Sequence, residues 1–301
     1  MPAYRNLRAI MKRSGALLAL LVLLGANYLF CIRPAQLHWG ATQAEVASIL
    51  PEDDVVTQPD FDATRAITIR ARPEEIWPWL VQMGYGRAGF YGYDLIENPG
   101  GGAGIRSATR ILPAYQHPGT GDPLPLSVVA KLAFSTIEPN RCLVWRAIDA
   151  PPTGVFIWEL VPVDSSRTRL ISRIRWRYLK TWQGRALGIF TEFTDHVAVR
   201  AILMGIRDRV EHRPTRTLLS QASEIGAWIA ACSAFTGAAA FTLISKEWVI
   251  TWLVALGAGL LVQFELYVAS PTPASALLSL TYLALTVWHV RKMRLRCDRI
   301  K

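Results

Sequence analysis

Five side chains in the middle of the chain have the chemistry of a general acid or base, which a cyclisation, dehydration or hydrolysis would need. They are Asp94, Glu159, Glu192, Asp195 and His196. Asp195 and His196 are adjacent, but neighbouring side chains on a helix point about 100° apart, so they form no ready dyad. A single helix histidine is more often a surface or core group than a base. The chain has no GxSxG, HExxH or phosphate-loop motif, so the sequence indicates no mechanism.

A second set of residues has the chemistry to bind an apolar molecule. Residues 77–98, WPWLVQMGYGRAGFYGYDLIEN, combine six aromatic rings with four glycines. Rings supply a large contact area and glycines let the backbone bend, a composition typical of a pocket wall. An aromatic core segment with turn glycines would have the same composition. The stretch therefore predicts either a ligand pocket or plain core.

The predicted ligand-binding residues are mostly large and apolar. Residues 77–98 contribute Trp77, Leu80, Met83, Tyr85, Phe90, Tyr91 and Tyr93. Predicted strands and the closing helix add Trp145, Phe156, Trp158, Trp176, Phe193 and Val197. The polar groups expected to orient a ligand are Arg87, Asp94 and Glu97. A salt bridge that pins a loop would use the same polar groups.

Cysteine spacing argues against a metal centre. The four cysteines, Cys31, Cys142, Cys232 and Cys297, are scattered singly, with no CxxC pair. A structural metal site or a disulfide framework needs paired spacing, and neither is indicated. We expect no metal and no cofactor.

The elements that must position these residues form an α+β domain. Alternating or β-rich runs predict strands at residues 66–71, 128–138, 142–148, 155–163 and 168–178. Helices are predicted at residues 39–50, from Pro73 onward, at 91–97 and at 189–210. On the long closing helix, the predicted apolar face consists of Phe190, Phe193, Val197, Ala201 and Met204.

Two local patterns add detail to this domain. Thr42 followed by Glu45 is the signature of a capping box at the start of the first helix. In the last strand, Arg173, Arg175 and Arg177 alternate with apolar residues and share one face. We expect that face to be solvated, with contact to anionic lipid headgroups as the alternative.

The two ends of the chain are predicted to lie in a membrane. Residues 15–32 are uncharged and follow a basic tail, which favours an uncleaved anchor over a signal peptide. Three more apolar runs cover residues 225–244, 248–268 and 274–290. Glu265 lies in the second of these runs, and we expect it near the outer interface; a functional carboxylate inside the membrane is the alternative. The predicted domains are therefore residues 1–32, 33–222 and 223–301.

Charge supports a membrane protein rather than a nucleic-acid-binding one. The net charge of +10 is concentrated toward the two termini, and no arginine-rich tract or nucleic-acid motif is present. The positive-inside rule places both termini in the cytoplasm and residues 33–222 outside it. The expected location is the plasma membrane, with several spans. The run at 225–244 is rich in small residues, so a membrane-protein partner through residues 225–290 is also expected.

The chain resembles the START-related superfamily called SRPBCC. The resemblance covers about residues 39–212 and is carried by WGATQAEV, LPEDD, TRAITIRARPEEIWPWLVQMGYGRAGFYGYDLIEN, Gly121-Asp122 and MGIRDRVEH. It implies a helix-grip fold, in which an antiparallel sheet curves around a long C-terminal helix and leaves an apolar cavity. Members of the superfamily bind sterols, lipids, polyketides and other hydrophobic molecules there.

Three functions are compatible with these observations. A membrane-anchored domain would bind a hydrophobic or lipid-like molecule for transfer or sensing. Alternatively, a cyclase or dehydrase would act in the same cavity, and this enzyme needs a carboxylate that lines the cavity with a raised pKa. A third possibility is an interaction module whose spans pack against a partner.

Overall fold

A computed structural model describes residues 2–97, 106–126, 131–148 and 153–298. The chain divides into two compact units. One unit is Ala35–Gln221, and the other combines Met1–Pro34 with Ala222–Lys301.

The helices and strands follow one another in an α+β order. The helices are α1 (Pro2–Asn27), α2 (Arg33–Leu37), α3 (Gln43–Ala47), α4 (Pro73–Val81), α5 (Asp94–Glu97), α6 (Trp182–Val210), α7 (Leu218–Ile244), α8 (Trp248–Gln263) and α9 (Pro273–Asp298). The strands are β1 (Phe61–Ile69), β2 (Pro123–Pro125), β3 (Lys131–Glu138), β4 (Cys142–Ala147), β5 (Gly154–Asp164) and β6 (Arg167–Trp176). Short π-helical segments at Tyr28–Ile32 and Phe264–Val268 continue α1 and α8.

The strands of the described chain form one antiparallel sheet in the order β1-β6-β5-β4-β3-β2. Strands β2 to β5 are each hydrogen-bonded to the strand that follows in sequence, and β1 joins the far edge by pairing with β6. The turn between β5 and β6 lies at residues 164–167, where the sequence predicts a hairpin. The interior lies on one face of this sheet, against α4 and α6.

Most predicted elements exist, but several boundaries move. Strand β1 begins at Phe61 instead of residue 66, and α6 begins at Trp182 instead of residue 189. Helix α5 begins only at Asp94 because Tyr91 has a left-handed backbone, with φ of 68°, which no α-helix accommodates. The predicted strand at 128–138 begins in residues outside the described chain.

The predicted capping box is confirmed. The Thr42 hydroxyl accepts a hydrogen bond from the Glu45 amide, and the Glu45 carboxylate accepts one from the Thr42 amide. The helix that follows is short, because α3 ends at Ala47 instead of residue 50.

The prediction that the arginine face of β6 is solvated is wrong. Arg173 is only 3% exposed because residues 45–53 cover this face of the sheet. Its guanidinium binds the Asp53 carboxylate at 2.5 Å and the carbonyls of Glu45 and Ser48. An alternating pattern cannot distinguish a solvated face from one that is covered by a segment rich in acceptors.

The predicted apolar face of α6 is also wrong at its N-terminal end. Phe190 is 63% exposed and Phe193 is 37% exposed. The buried stripe instead includes Glu192, His196 and Leu203. His196 lies 3.2 Å from the Gln36 carbonyl, so its polar ring has a partner in the interior. Hydrophobic periodicity does not identify this buried face, because Glu and His occupy two of its positions.

Among the described residues, four helices are long and apolar enough to cross a membrane. They are Arg8–Leu37, Leu218–Ile244, Trp248–Val268 and Pro273–Lys292. Side-chain amides and indoles join the first and third of these helices. Asn27 donates to Gln263, which donates in turn to the Leu24 carbonyl, and the Trp252 indole donates to the Ala16 carbonyl.

Glu265 is fully buried within this second unit. The Ser279 hydroxyl donates to its carboxyl group, over 3.3 Å to the nearer oxygen. The carboxyl therefore faces a neighbouring helix instead of open surroundings.

Candidate functional site

A pocket of about 190 Å³, open to the surface on one side, lies between the sheet and α6 in the unit Ala35–Gln221, and we call it the cavity. A cavity of roughly 150 Å³ with an apolar lining is enough to admit benzene, so this volume suits a small ring compound. The resemblance to SRPBCC implies an apolar cavity at this place, between the sheet and the closing helix.

The sheet provides an aromatic wall. Trp145 on β4 pairs in register with Phe156 on β5, and Trp158 lies two residues further along the same face. The rings of Phe156 and Trp158 are stacked, with centroids 5.5 Å apart and planes inclined by 14°. Trp145 meets Trp158 edge-on at 5.4 Å. Both indole N–H groups are buried and have no hydrogen-bond partner among the described residues.

Helix α6 forms the opposite wall through Asp195, Ala198, Val199 and Ile202. These positions are spaced i, i+3, i+4 and i+7, so they lie on one face of the helix. Ala198, Val199 and Ile202 were not among the predicted ligand-binding residues. Their helical spacing from Asp195 could have identified this face of α6. The spacing of Phe190 and Phe193 indicated a different face of the helix.

Asp195 carries a buried negative charge at the wall. Its carboxylate accepts a hydrogen bond of 2.6 Å from Arg65 of β1, and both side chains are nearly inaccessible to solvent. Burial raises the pKa of Asp195, and the Arg65 guanidinium partly offsets this shift. The Arg65 Nε donates to the Gln36 carbonyl, while its Nη2 has no partner among the described residues. The ion pair therefore holds a charged carboxylate at the wall of the cavity.

Glu97 lines the cavity from the end of α5. Burial raises the pKa of its carboxyl to about 8, with a smaller contribution from Asp94. The nearby backbone amides of Tyr93 and Gly92 favour the charged form and offset part of this shift. Neither carboxyl oxygen has a hydrogen-bond partner among the described residues. At neutral pH the group is therefore a carboxylic acid, which can donate as well as accept a hydrogen bond.

Of the predicted ligand-binding residues, the structure brings only some to the cavity. Phe90, Trp145 and Trp158 line it, together with Phe156 and Glu97. Trp77, Leu80, Met83 and Tyr85 belong to the hydrophobic core or pack against it. Trp176 packs over Gly154 at the start of β5. Phe193 is partly exposed and Val197 half-buried, one on each side of Asp195 in sequence.

The predicted polar groups and the remaining buried rings hold the loop after α4. The Arg87 guanidinium donates to the Val81 and Met83 carbonyls. The Tyr91 hydroxyl donates to the Trp79 carbonyl. Two more of the predicted residues also hold loops: Asp94 accepts from the Ser107 amide and hydroxyl, and Tyr93 lies under the Arg216 guanidinium. Gln82, which was not among the predicted residues, donates to the Tyr91 hydroxyl.

The other acid–base candidates do not line the cavity. Glu192 accepts a hydrogen bond from the Tyr178 hydroxyl at 3.3 Å. His196 lies edge-on to Trp39, with ring centroids 6.4 Å apart. Glu159 is half-buried, and burial raises its pKa. The described residues also contain no group of three side chains that could hold a metal ion.

The order of elements decides the architecture. A first strand, two short helices, five consecutive antiparallel strands and one long helix enclose a cavity between sheet and helix. The domain has a helix-grip fold. This is the architecture that the resemblance to SRPBCC implies.

No family model and no curated protein matches the chain. Solved structures with low similarity include a protein from Mesorhizobium loti, which is 17% identical to this chain with a TM-score of 0.32. The match covers 51% of this chain and 99% of that protein. A polyketide-cyclase-like protein from Corynebacterium glutamicum has 12% identity, coverages of 52% and 97%, and a TM-score of 0.31. A Thermobifida fusca protein has 15% identity, coverages of 52% and 99%, and the same TM-score of 0.31.

Proposed function

We propose that the helix-grip domain binds a hydrophobic or lipid-like small molecule in its cavity while the chain is anchored in a membrane. The observation that carries this proposal is the cavity itself, which has an aromatic wall from the sheet and an apolar wall from α6. Apolar pockets with a few polar groups are the usual form of small-molecule sites. The four membrane-length helices would keep the domain beside a source of apolar molecules.

The carboxyl groups of Glu97 and Asp195 give the site its polar character. A neutral acid at Glu97 and an ion-paired carboxylate at Asp195 are two different groups for contact with a ligand. They would orient a guest that carries a polar substituent. Such a guest binds with its rings against Trp145 and Trp158.

A cyclase or dehydrase that acts in the same cavity is the second candidate. The observation that favours it is that two carboxyl groups with raised pKa values, those of Glu97 and Asp195, line the cavity. A carboxyl group whose pKa is raised to about 8, as at Glu97, serves as a general acid near neutral pH. Turnover of a polyketide-like substrate that is lost in Asp195→Asn and Glu97→Gln would support this candidate.

The proposed binding is tested by filling the cavity. Ala198→Phe places a ring in the space from the α6 wall, so molecules that co-purify with the full-length protein should be lost. Thr194→Phe places the same ring on the exposed side of the same helix and is the matched control.

The measurement is mass spectrometry of organic extracts from both variants and the wild type, purified in the same mild detergent. We expect a compound enriched in the wild type and in Thr194→Phe but absent from Ala198→Phe. Equal extracts from all three proteins would contradict the proposal.

A further inference from the structure

The first three turns of α6 present large apolar side chains to solvent. Leu179, just before the helix, is 61% exposed, Trp182 is 76% exposed, and Phe190 is 63% exposed. Leu187 and Ile189 are more than half exposed as well. We call these five residues the α6 apolar surface. Isolated exposed apolar side chains are ordinary, but a contiguous cluster marks an interaction site.

The inward side of these turns is made of glycine. A Cβ atom at Gly184 would collide with Leu179, and one at Gly188 would collide with the Tyr178 ring. The loop before α6 therefore packs directly on the helix backbone at these two positions. In a surface helix of a soluble domain, large apolar residues normally face inward and polar ones face water. Here two glycines face inward, while the large apolar side chains of the helix are exposed.

The charges beside the α6 apolar surface are positive. Lys180 and Arg185 are exposed on the same segment, and residues 177–191 contain no aspartate or glutamate. The next carboxylate, Glu192, is buried. Basic groups next to exposed aromatic and aliphatic side chains are complementary to a bilayer surface with anionic headgroups.

We propose that the α6 apolar surface is a membrane contact of the helix-grip domain, additional to the membrane-length helices. Trp182, Leu187 and Phe190 enter the interfacial layer of the bilayer, and Lys180 and Arg185 bind anionic headgroups. The partner is the lipid surface, because aromatic rings settle at the boundary between headgroups and acyl chains. This proposal is independent of the occupant of the cavity.

The contact is tested on full-length protein in lipid nanodiscs. The variant Leu187→Cys, in a background with the native cysteines replaced, carries an environment-sensitive fluorophore on its new thiol. The variant Ser166→Cys, labelled in the exposed turn between β5 and β6, is the matched control. Quenching by brominated lipid reports contact with the bilayer, and quenching by iodide reports exposure to water.

We expect brominated lipid to quench the label at position 187 and iodide to quench the label at position 166. The quenching at 187 should be stronger in discs that contain phosphatidylglycerol than in pure phosphatidylcholine. Replacement of both Lys180 and Arg185 by Gln should reduce the fraction of contacted domains several-fold, because each basic residue near an anionic surface contributes about fivefold to binding.

Two outcomes overturn the proposal. Strong iodide quenching at position 187, with none from brominated lipid, shows that the surface faces water. Shielding from both quenchers shows that protein covers it, either a second copy or another part of the chain. A Leu187→Ser variant that folds, judged by an unchanged melting temperature, and still contacts the bilayer through Trp182 to the same extent also contradicts the role given to Leu187.

Discussion

The two carboxyl groups at the cavity differ because their neighbours differ. Asp195 has Arg65 as a charged partner, while Glu97 has no hydrogen-bond partner among the described residues. Burial penalises the charged form of both groups, but only Asp195 has a cation that compensates. The site therefore combines an ion-paired acid with a protonated one.

The raised pKa of Glu97 predicts a pH dependence of stability. The folded state keeps its proton up to pH about 8, while the unfolded state releases it near the ordinary value of 4.5. Between these values the folded state binds more protons, so stability falls as pH rises and is greatest below pH 4.5. Glu97→Gln, which mimics the neutral acid, should remove this loss, worth about 1.4 kcal/mol for each pKa unit.

Thermal unfolding of wild type and Glu97→Gln between pH 5 and 8 measures the difference. Glu74→Gln, at an exposed position on α4, is the control and should follow the wild type. Parallel profiles for wild type and Glu97→Gln would falsify the assignment.

The Arg65–Asp195 pair predicts a large coupling energy. Arg65→Met leaves the Asp195 carboxylate buried without its cation, which should destabilise the domain by about 3–5 kcal/mol. The double variant Arg65→Met/Asp195→Leu removes both charges and should be much closer to wild type than the sum of the single changes. Chemical denaturation of the four proteins gives the coupling energy, and additive effects would show that the two groups do not interact.

At the scale of elements, sequence periodicity predicted much of the sheet and the long helix. The strands from β4 to β6 were found within a few residues, because alternation over a half-buried sheet is a strong signal. Hydrophobic periodicity predicted the wrong buried face for the N-terminal part of α6, because the polar residues Glu192 and His196 occupy buried positions there. Arg173 was placed in water because the covering segment, residues 45–53, lies far from it in sequence. Both errors involve polar side chains whose partners are set by tertiary contacts.

The close approach of α6 to the loop that carries Tyr91 predicts a strict requirement for glycine. A Cβ atom at Gly205 would collide with the Tyr91 carbonyl. Ala is favoured over Gly in a helix by about 1 kcal/mol, so a free position would gain stability. Gly205→Ala should instead lose about 1–3 kcal/mol, because the helix must move away from the loop.

Thermal unfolding measures this loss, with Thr194→Ala on the exposed side of α6 as the control. A Gly205→Ala variant more stable than wild type would show that the loop yields easily.

At the scale of the whole molecule, four membrane-length helices place both termini on one side, if all four cross the bilayer. The sequence identified these helices from hydropathy alone, since apolar length is a local property. Which side the domain occupies stays a prediction, and so does the membrane-protein partner of residues 225–290.

Fusions at the C-terminus test the predicted orientation. The positive-inside rule puts the C-terminus in the cytoplasm, so a fused green fluorescent protein should fluoresce and a fused alkaline phosphatase should be inactive. Fusions after residue 221, which follow the first span only, should give the opposite result. The reverse pattern would place the helix-grip domain in the cytoplasm.

The position of Arg173 affects how lipid-binding experiments on this protein should be read. Its guanidinium binds residues 45–53 to the outer face of the sheet through the Asp53 carboxylate and three backbone carbonyls. Neutralising this arginine would loosen that segment, and any fall in liposome recovery would then reflect misfolded material instead of a missing headgroup ligand. Mutational surveys for phospholipid dependence should therefore start from Lys180 and Arg185, whose removal leaves the interior intact.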